Sequence, residues 1–308
     1  MIKVSHLRKE YDDTVALENL QLEIAQGEVF GLIGPNGAGK TTLIRVLATL
    51  LEPTYGAVRI AGIDALADPL KVHPIIGYMS DFFSLYENMR VWEYLDHFAR
   101  CYRISPGNRK RLIGEALELV SLDVRREAEI QELSRGMRQR LCFAKSLLHE
   151  PQVLLLDEPA SGLDPAGRVE FRELIKQLHE MGRTIVISSH ILTEMTEYCT
   201  SIGILEKGRL VASGKVDDII TRLDPELRLV IEVHGEINQL IVLLSNEPAA
   251  ENINVNGSQL KCIWRSGRET LPALHRKIVE AGIPLISCSV AGDNLEEIYM
   301  RISSHSTS

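Results

Sequence analysis

No stretch of this 308-residue chain approaches the ~18–20 apolar residues that a bilayer-spanning helix needs. The longest apolar runs, such as Leu240-Ile241-Val242-Leu243-Leu244, have the size of buried core segments. The first residues, Met1-Ile2-Lys3-Val4-Ser5-His6, lack the apolar run of a secretion signal. The expectation is a soluble chain whose membrane role, if any, comes through a partner. Cysteine is sparse: Cys101, Cys142, Cys199, Cys262 and Cys288 stand far apart with no C-x-x-C pair. That spacing argues against a thiolate metal site and fits thiols that pack as small apolar groups in a reducing compartment. Positive charge is not in excess either, since 34 Lys plus Arg against 42 Asp plus Glu leave a formal charge of −8. Nucleic acid is therefore not expected as a partner, because neutralising its phosphates calls for a basic surplus. Internal repeats and low-complexity stretches are absent as well.

What is present is ordinary globular composition, 45% hydrophobic and 25% charged, enough to bury a sizeable core. Residues 1–30 alternate apolar and polar side chains around turn signals at Asp12-Asp13 and Gln26-Gly27, which predicts short antiparallel strands including Ala16 to Ile24. Glu28 to Ile33 reads as a buried strand, and Thr41 to Leu47 as a helix. From Val91 to Glu129 the period becomes helical, with Val91, Tyr94, Leu95 and Phe98 on one stripe and Leu112, Ala116, Leu119 and Val120 on another. Val153 to Leu156 and Thr184 to Ile187 predict buried parallel strands, and Ile202 to Leu205 a third. Leu223-Asp224-Pro225 marks a domain boundary, because proline ends the preceding helix. Beyond it the order is strand (227–233), helix (237–245), strand (253–255), strand (260–265), helix (269–281), strand (285–290) and terminal helix (295–302). This predicts a small two-layer α+β domain over 224–302, of ferredoxin-like type, followed by a disordered tail over 303–308.

The chemistry concentrates in two segments. Gly34-Pro35-Asn36-Gly37-Ala38-Gly39-Lys40-Thr41, followed by Thr42, matches the phosphate-loop pattern between a strand and a helix. Its glycines let successive backbone N–H groups turn inward on phosphate oxygens, and the helix points its positive end at the anion. Lys40 can reach the β and γ phosphates of a nucleotide, and the Thr41 hydroxyl can ligate Mg²⁺. Val153-Leu154-Leu155-Leu156-Asp157-Glu158 is an apolar strand ending in two carboxylates. Asp157 is placed to hold Mg²⁺ through water, and Glu158 to orient or activate an attacking water.

A third segment, Leu133-Ser134-Arg135-Gly136-Met137-Arg138-Gln139-Arg140, resembles the LSGGQ signature of the ATP-binding cassette (ABC) family. Ser134 and Gly136 match it, whereas Arg135 stands for glycine and Met137 for glutamine. Ser161-Gly162-Leu163-Asp164 resembles the family's interface loop, Ser188-Ser189-His190 its switch histidine, and Tyr11 its adenine-stacking aromatic. The resemblance covers residues 1–222 and implies a P-loop NTPase cassette. That fold has a RecA-like mixed sheet core, an antiparallel β subdomain and a helical subdomain at about 82–150, here within a nucleotide-binding domain at 1–223. It also implies ATP and Mg²⁺ as cofactors, with Glu158 and His190 catalytic. A second copy joined head to tail would present Ser134 and Gly136 to the nucleotide. An integral membrane permease would take up the motion, through the region of Phe82, Phe83, Leu85, Tyr86 and Trp92. The family's glutamine after Gly77-Tyr78-Met79-Ser80 is replaced by Asp81, which is either a metal contact or a loop acid. The signature variant and the appended domain resemble exporter ATPases, placing the chain on the inner face of the cell membrane. The alternative is a soluble ABC ATPase outside transport.

Overall fold

A computed structural model describes residues 1–82, 84–223 and 227–290, with the backbone alone for 220–223. Phe83, the centre of the expected boundary at 224–225, the terminal helix at 295–302 and the tail lie outside the described residues. The chain divides into two compact units, Met1–Ile219 and Ile220–Ser308. Among the described residues no helix is long and apolar enough to cross a membrane.

In chain order the first unit contains β1 (Ile2–Tyr11), β2 (Thr14–Ile24), β3 (Val29–Ile33), α1 (Lys40–Leu47), β4 (Tyr55–Ile60), β5 (Ile63–Asp64), α2 (Pro69–Val72) and β6 (Ile76–Met79). It continues with α3 (Val91–Cys101), α4 (Pro106–Leu119), α5 (Arg135–Leu147), β7 (Val153–Leu156), α6 (Pro165–Glu180) and β8 (Thr184–Ser189). Then come α7 (Leu192–Thr196), β9 (Ser201–Glu206) and β10 (Arg209–Lys215), and α8 (Val216–Leu223) spans the division.

The main sheet has six strands in the order β10-β9-β3-β8-β7-β6. Every residue of β3, β7 and β8 is buried, as expected of parallel strands covered on both faces, so alternation gives way to continuous apolar runs. Register brings Ile33 beside Ser189 and Leu156 beside both Ile187 and Met79. The carboxyl ends of β3, β6, β7 and β8 thus converge at one edge, the position where open α/β sheets bind ligands.

The second sheet, β2-β1-β4-β5, is antiparallel. Ile2, Val4, Leu17, Leu20, Leu22 and Ile24 share one core cluster with Leu43, Ile44, Val46 and Leu47 of α1. Removing a fully buried member such as Leu47 by Leu47→Ala carries a cost of about 2–5 kcal/mol. The sheet is also tied to the phosphate-loop region, because the Glu18 N–H donates to the Gly208 carbonyl at 2.9 Å and the Gly208 N–H to Ala38 at 3.0 Å.

In the helical segment, Val91, Tyr94 and Leu95 of α3 are buried with Leu112, Ile113, Ala116 and Leu117 of α4 and Leu141, Cys142 and Phe143 of α5. Burial pushes the Cys142 thiol up to about 12, which marks it as a packing group rather than a nucleophile. After α5, His149 bonds the Ile76 carbonyl through Nε2 at 2.7 Å and stacks on Tyr102 at 4.1 Å between centroids. Its Nδ1 is buried without a partner, and burial holds the imidazole below its ordinary pKa. The unfolded chain therefore binds the proton more readily, so this group's stability contribution is fully present above its ordinary pKa of about 6.5 and is lost as the pH falls from there through the lower folded-state value. His149→Gln should accordingly flatten the fall in thermal midpoint between neutral and mildly acidic pH. An unchanged slope in the melting series would assign it to other groups.

The second unit runs β11 (Leu227–Val233), α9 (Asn238–Ser245), β12 (Ala250–Asn256), β13 (Gln259–Trp264), α10 (Leu271–Glu280) and β14 (Leu285–Val290). Its sheet order, β12-β13-β11-β14, is antiparallel at every pairing, which is the split βαβ arrangement of ferredoxin-like folds. Leu229, Ile231 and Val233 alternate inward to meet Leu240, Leu244, Leu274 and Ile278 from the helices. The Trp264 indole buries its ring in that core and donates to the Thr270 hydroxyl at 2.8 Å.

Candidate functional site

β3 runs directly into the glycine-rich loop, and α1 begins at its end. Gly39 caps the helix in the left-handed region at φ 105°. A Cβ there would sit 2.4 Å from the Ala16 carbonyl, so both backbone angle and space demand glycine. Pro35, Asn36 and Gly37 are exposed, Ala38 is buried, and Gly34 is buried at the strand end. Lys40 is only 6% exposed. Its ammonium donates to the carbonyls of Gly34 at 2.7 Å and Pro35 at 3.2 Å, and lies 3.3 Å from Glu158 Oε1. That oxygen has no hydrogen bond, so its contact with Lys40 is an ion pair by distance alone. Thr41 and Thr42 follow in the first turn, half-buried.

Asp157 and Glu158 leave the end of β7. The Asp157 N–H donates to the Met79 carbonyl at 2.9 Å, fixing β7 to β6, and the side chain is 1% exposed. The Ser188 hydroxyl donates to Asp157 Oδ1 at 2.7 Å and accepts the Glu158 N–H at 2.9 Å. One hydroxyl thereby orients both acidic residues. Glu158 itself adopts φ 48°, an uncommon conformation for a side-chain-bearing residue that costs of order 1–3 kcal/mol. It turns the carboxylate so that Oε1 faces Lys40 and Oε2 lies 3.0 Å from His190 Nδ1. Ser188 was not singled out by its sequence neighbourhood, which pointed to His190. Ser188→Ala should lower stability by about 1–3 kcal/mol, because it strips a donor from a buried carboxylate and leaves the Glu158 N–H unpaired. It should also slow turnover, and a melt and a steady-state assay identical to wild type would exclude the bridging role.

Asp81 follows β6 by two residues and is exposed. Partial burial, then the neighbouring Asp157 and Glu158 charges, raise its carboxyl above the usual range, while Arg135 and His190 pull it down. The structure thus brings Asp81 into the field of the acidic pair. Tyr11 stands 43% exposed at the end of the β1–β2 hairpin, with the Lys9 ammonium 5.0 Å from its ring centroid.

Ser134 caps α5, accepting the Met137 N–H at 3.3 Å. Arg138 reaches Glu87 at 2.8 Å and the Leu133 and Gln131 carbonyls, and Arg140 pairs with Glu170 at 2.9 Å. Gln139, which sequence reasoning passed over, is buried and donates to the Pro159 carbonyl. It anchors α5 to the residue after Glu158. Asp164 caps α6 by accepting the Gly167 N–H at 2.7 Å. Ser134 and Gly136 line a cavity of about 360 Å³ with Met79, Gln139 and Gly162, whereas Glu158 and His190 line another of about 150 Å³. The two cavities adjoin at Pro159 and Gly162, with Ser134 and Gly136 lining only the first and Glu158 and His190 only the second. Of the apolar residues considered for a partner contact, Phe82 is 86% and Tyr86 56% exposed, while Leu85 and Trp92 are half-buried.

Residues 17–161 match the family described as ABC transporter. The chain is 33% identical over 304 residues to the Nod factor export ATP-binding protein I of Cupriavidus pinatubonensis, covering 98% of this chain and 90% of that protein. It is 31% identical over 302 residues to the daunorubicin resistance ATP-binding protein DrrA3 of Streptomyces coeruleorubidus, covering 98% and 95%. Among solved structures it resembles a dimeric ATP-binding cassette in a post-hydrolysis state bound to ADP and Pi. The TM-score is 0.64 at 27% identity, over 70% of this chain and 99% of that one.

Proposed function

This chain belongs to the ABC transporter family as an ATP-binding subunit with ATPase activity, and from that premise we propose that two copies close head to tail on MgATP to drive a separate membrane-spanning permease in export. The observation that carries the mechanism is the Glu158 carboxylate suspended between Lys40 at 3.3 Å and His190 at 3.0 Å, with Asp157 buried beside it. When ATP enters, its phosphates accept from backbone N–H groups of the loop beyond Pro35, up to Thr41, and Lys40 exchanges carbonyl partners for β- and γ-phosphate oxygens. That exchange frees Glu158 to orient a water in line with the γ-phosphorus and take its proton, while His190 contacts the γ-phosphate. Tyr11 stacks on adenine.

The residues present fit Mg²⁺. Asp157 is a buried carboxylate already ordered by Ser188, an oxygen donor suited to a hard cation. Among the described residues no cluster of three or more His, Cys, Asp or Glu forms a dedicated cage. Thr41, Asp157 and Asp81 would hold the ion together with phosphate oxygens, and it would neutralise charge building on those oxygens.

Ser134 and Gly136 lie at the start of α5 and line a cavity that their own Glu158 does not line. Across a head-to-tail dimer they would complete the other copy's site, its γ-phosphate meeting a helix amino end. Closure pulls the permease into another state and hydrolysis releases it. Two relatives carry "export" or "resistance" in their names and match nearly the whole chain, which supports the export reading and a place at the inner face of the membrane. Affinity purification of the tagged chain from mild-detergent extracts of native membranes should recover an integral membrane protein in fixed stoichiometry. Recovery of ribosomes or DNA in its stead would favour a soluble ABC ATPase.

A further inference from the structure

Two ion pairs tie α6 to α7. Arg168 and Arg172 lie one turn apart on α6. Glu194 of α7 and Glu197 just past its end lie one turn apart opposite them. Arg168 Nη1 is 2.6 Å from Glu194 Oε1, and Arg172 Nη1 donates to Glu197 Oε2. Next to these pairs the Phe171 ring meets the Tyr198 ring edge-on at 6.2 Å between centroids. The two pairs differ in what they face. Arg168 and Glu194 line the cavity of about 150 Å³ that Glu158 and His190 also line, whereas Arg172 and Glu197 do not. Glu194 Oε1 is buried without a hydrogen bond, so Arg168 holds it by charge alone. Burial raises the Glu194 carboxyl, while Arg168 and then His190 draw it down. The chain path gives this pair its consequence. Arg168 stands four residues past Asp164, where the loop after Glu158 enters α6, and Glu194 stands four residues past His190. The His190 ring is half-exposed, and its contact with Glu158 Oε2 does not by itself fix the backbone that carries it.

We propose that the Arg168–Glu194 ion pair is a brace that sets His190 against Glu158, by tying the segment after β8 to the start of α6. This rests on the reading of His190 as a γ-phosphate contact. Arg168 and Glu194 are positioning residues, and neither touches the nucleotide. Without Arg168 the buried Glu194 oxygen has no cation opposite it and Glu158 close by, so α7 shifts to bring it to water and carries His190 along. Without the Glu194 charge the half-exposed Arg168 reaches water unaided, and the cost is smaller. The Arg172–Glu197 pair lies outside the cavity and holds the two helices together without setting the histidine.

ATPase kcat and KM of the full chain test the brace, with the Arg172–Glu197 pair as control. Arg168→Met should lower kcat about 10-fold, part of what a misplaced reacting group costs, with KM for ATP within about twofold of wild type. Glu194→Gln should lower kcat about threefold, and Arg168→Lys, which keeps the charge, should retain most of the turnover. Arg172→Met should stay within about twofold of wild-type kcat. His190→Ala should lower kcat about 100-fold, the scale of one lost transition-state hydrogen bond. Adding Arg168→Met to His190→Ala should cost nothing more, because the brace acts through that ring. A further 10-fold loss in that double variant would overturn the brace, as would wild-type kcat for Arg168→Met. Equal losses from Arg168→Met and Arg172→Met would reduce both pairs to general support of the fold. Wild-type turnover in His190→Ala would instead remove His190 from the site, and the brace with it.

Discussion

Replacing Glu158 with glutamine should slow ATP turnover by about 100-fold or more, the scale of losing a positioned general base, while leaving ATP binding intact. The substitution keeps the side chain's length and its place between Lys40 and His190 but removes the charge that takes up the water's proton. The proposed phosphate contacts come from the loop Gly34–Thr41, which Glu158 does not build, so affinity should persist. On the proposed cycle, in which hydrolysis reopens the closed pair, the variant should accumulate as a dimer with ATP. Steady-state release of phosphate and light scattering with and without MgATP measure the two effects. Wild-type turnover would falsify the assignment of Glu158.

The second large effect is expected from Lys40→Ala. In the folded chain this buried ammonium is held by two carbonyls and the Glu158 carboxylate, and these groups offset its burial. A hydrogen bond to a charged group contributes about 1.5–3 kcal/mol, so loss of the phosphate contact should weaken ATP binding about 10- to 100-fold. Titration calorimetry reads this directly, and a melt run alongside separates lost affinity from lost folding. The melt should itself fall, since Glu158 then sits partly buried without its cation. Unchanged ATP affinity would take Lys40 out of the site.

The parts of the fold legible from sequence are those whose signal is local. Strands β3 and β7 are short apolar runs and β8 carries Ile185-Val186-Ile187 at its centre, because each strand is covered on both faces. The second unit's alternation over Leu227–Val233 and its strand over Leu285–Val290 were equally readable. The sequence reading passed over β4, β5 and β10. In β10 the residues alternate only between half-buried and exposed, and in β4 the first three are exposed, so the apolar contrast that reveals a strand is weak there. Helix α6 was also passed over, although Phe171, Leu174, Ile175 and Leu178 lie at helical spacing.

The sequence by itself determined the glycine-rich loop between β3 and α1, the paired acids Asp157 and Glu158 at the end of β7, and the helix start at Ser134. Each is a contiguous pattern in which neighbouring residues act through fixed backbone geometry, and residue type plus spacing is therefore sufficient. Tertiary structure alone decided how these pieces meet. It set Ser188 between Asp157 and the Glu158 N–H, Gln139 against Pro159, Glu158 at φ 48° between Lys40 and His190, and Arg135 over Gly162. Several of these contacts join residues 20 to 32 positions apart in the chain. They depend on strand order and register across the six-stranded sheet, which no local pattern encodes.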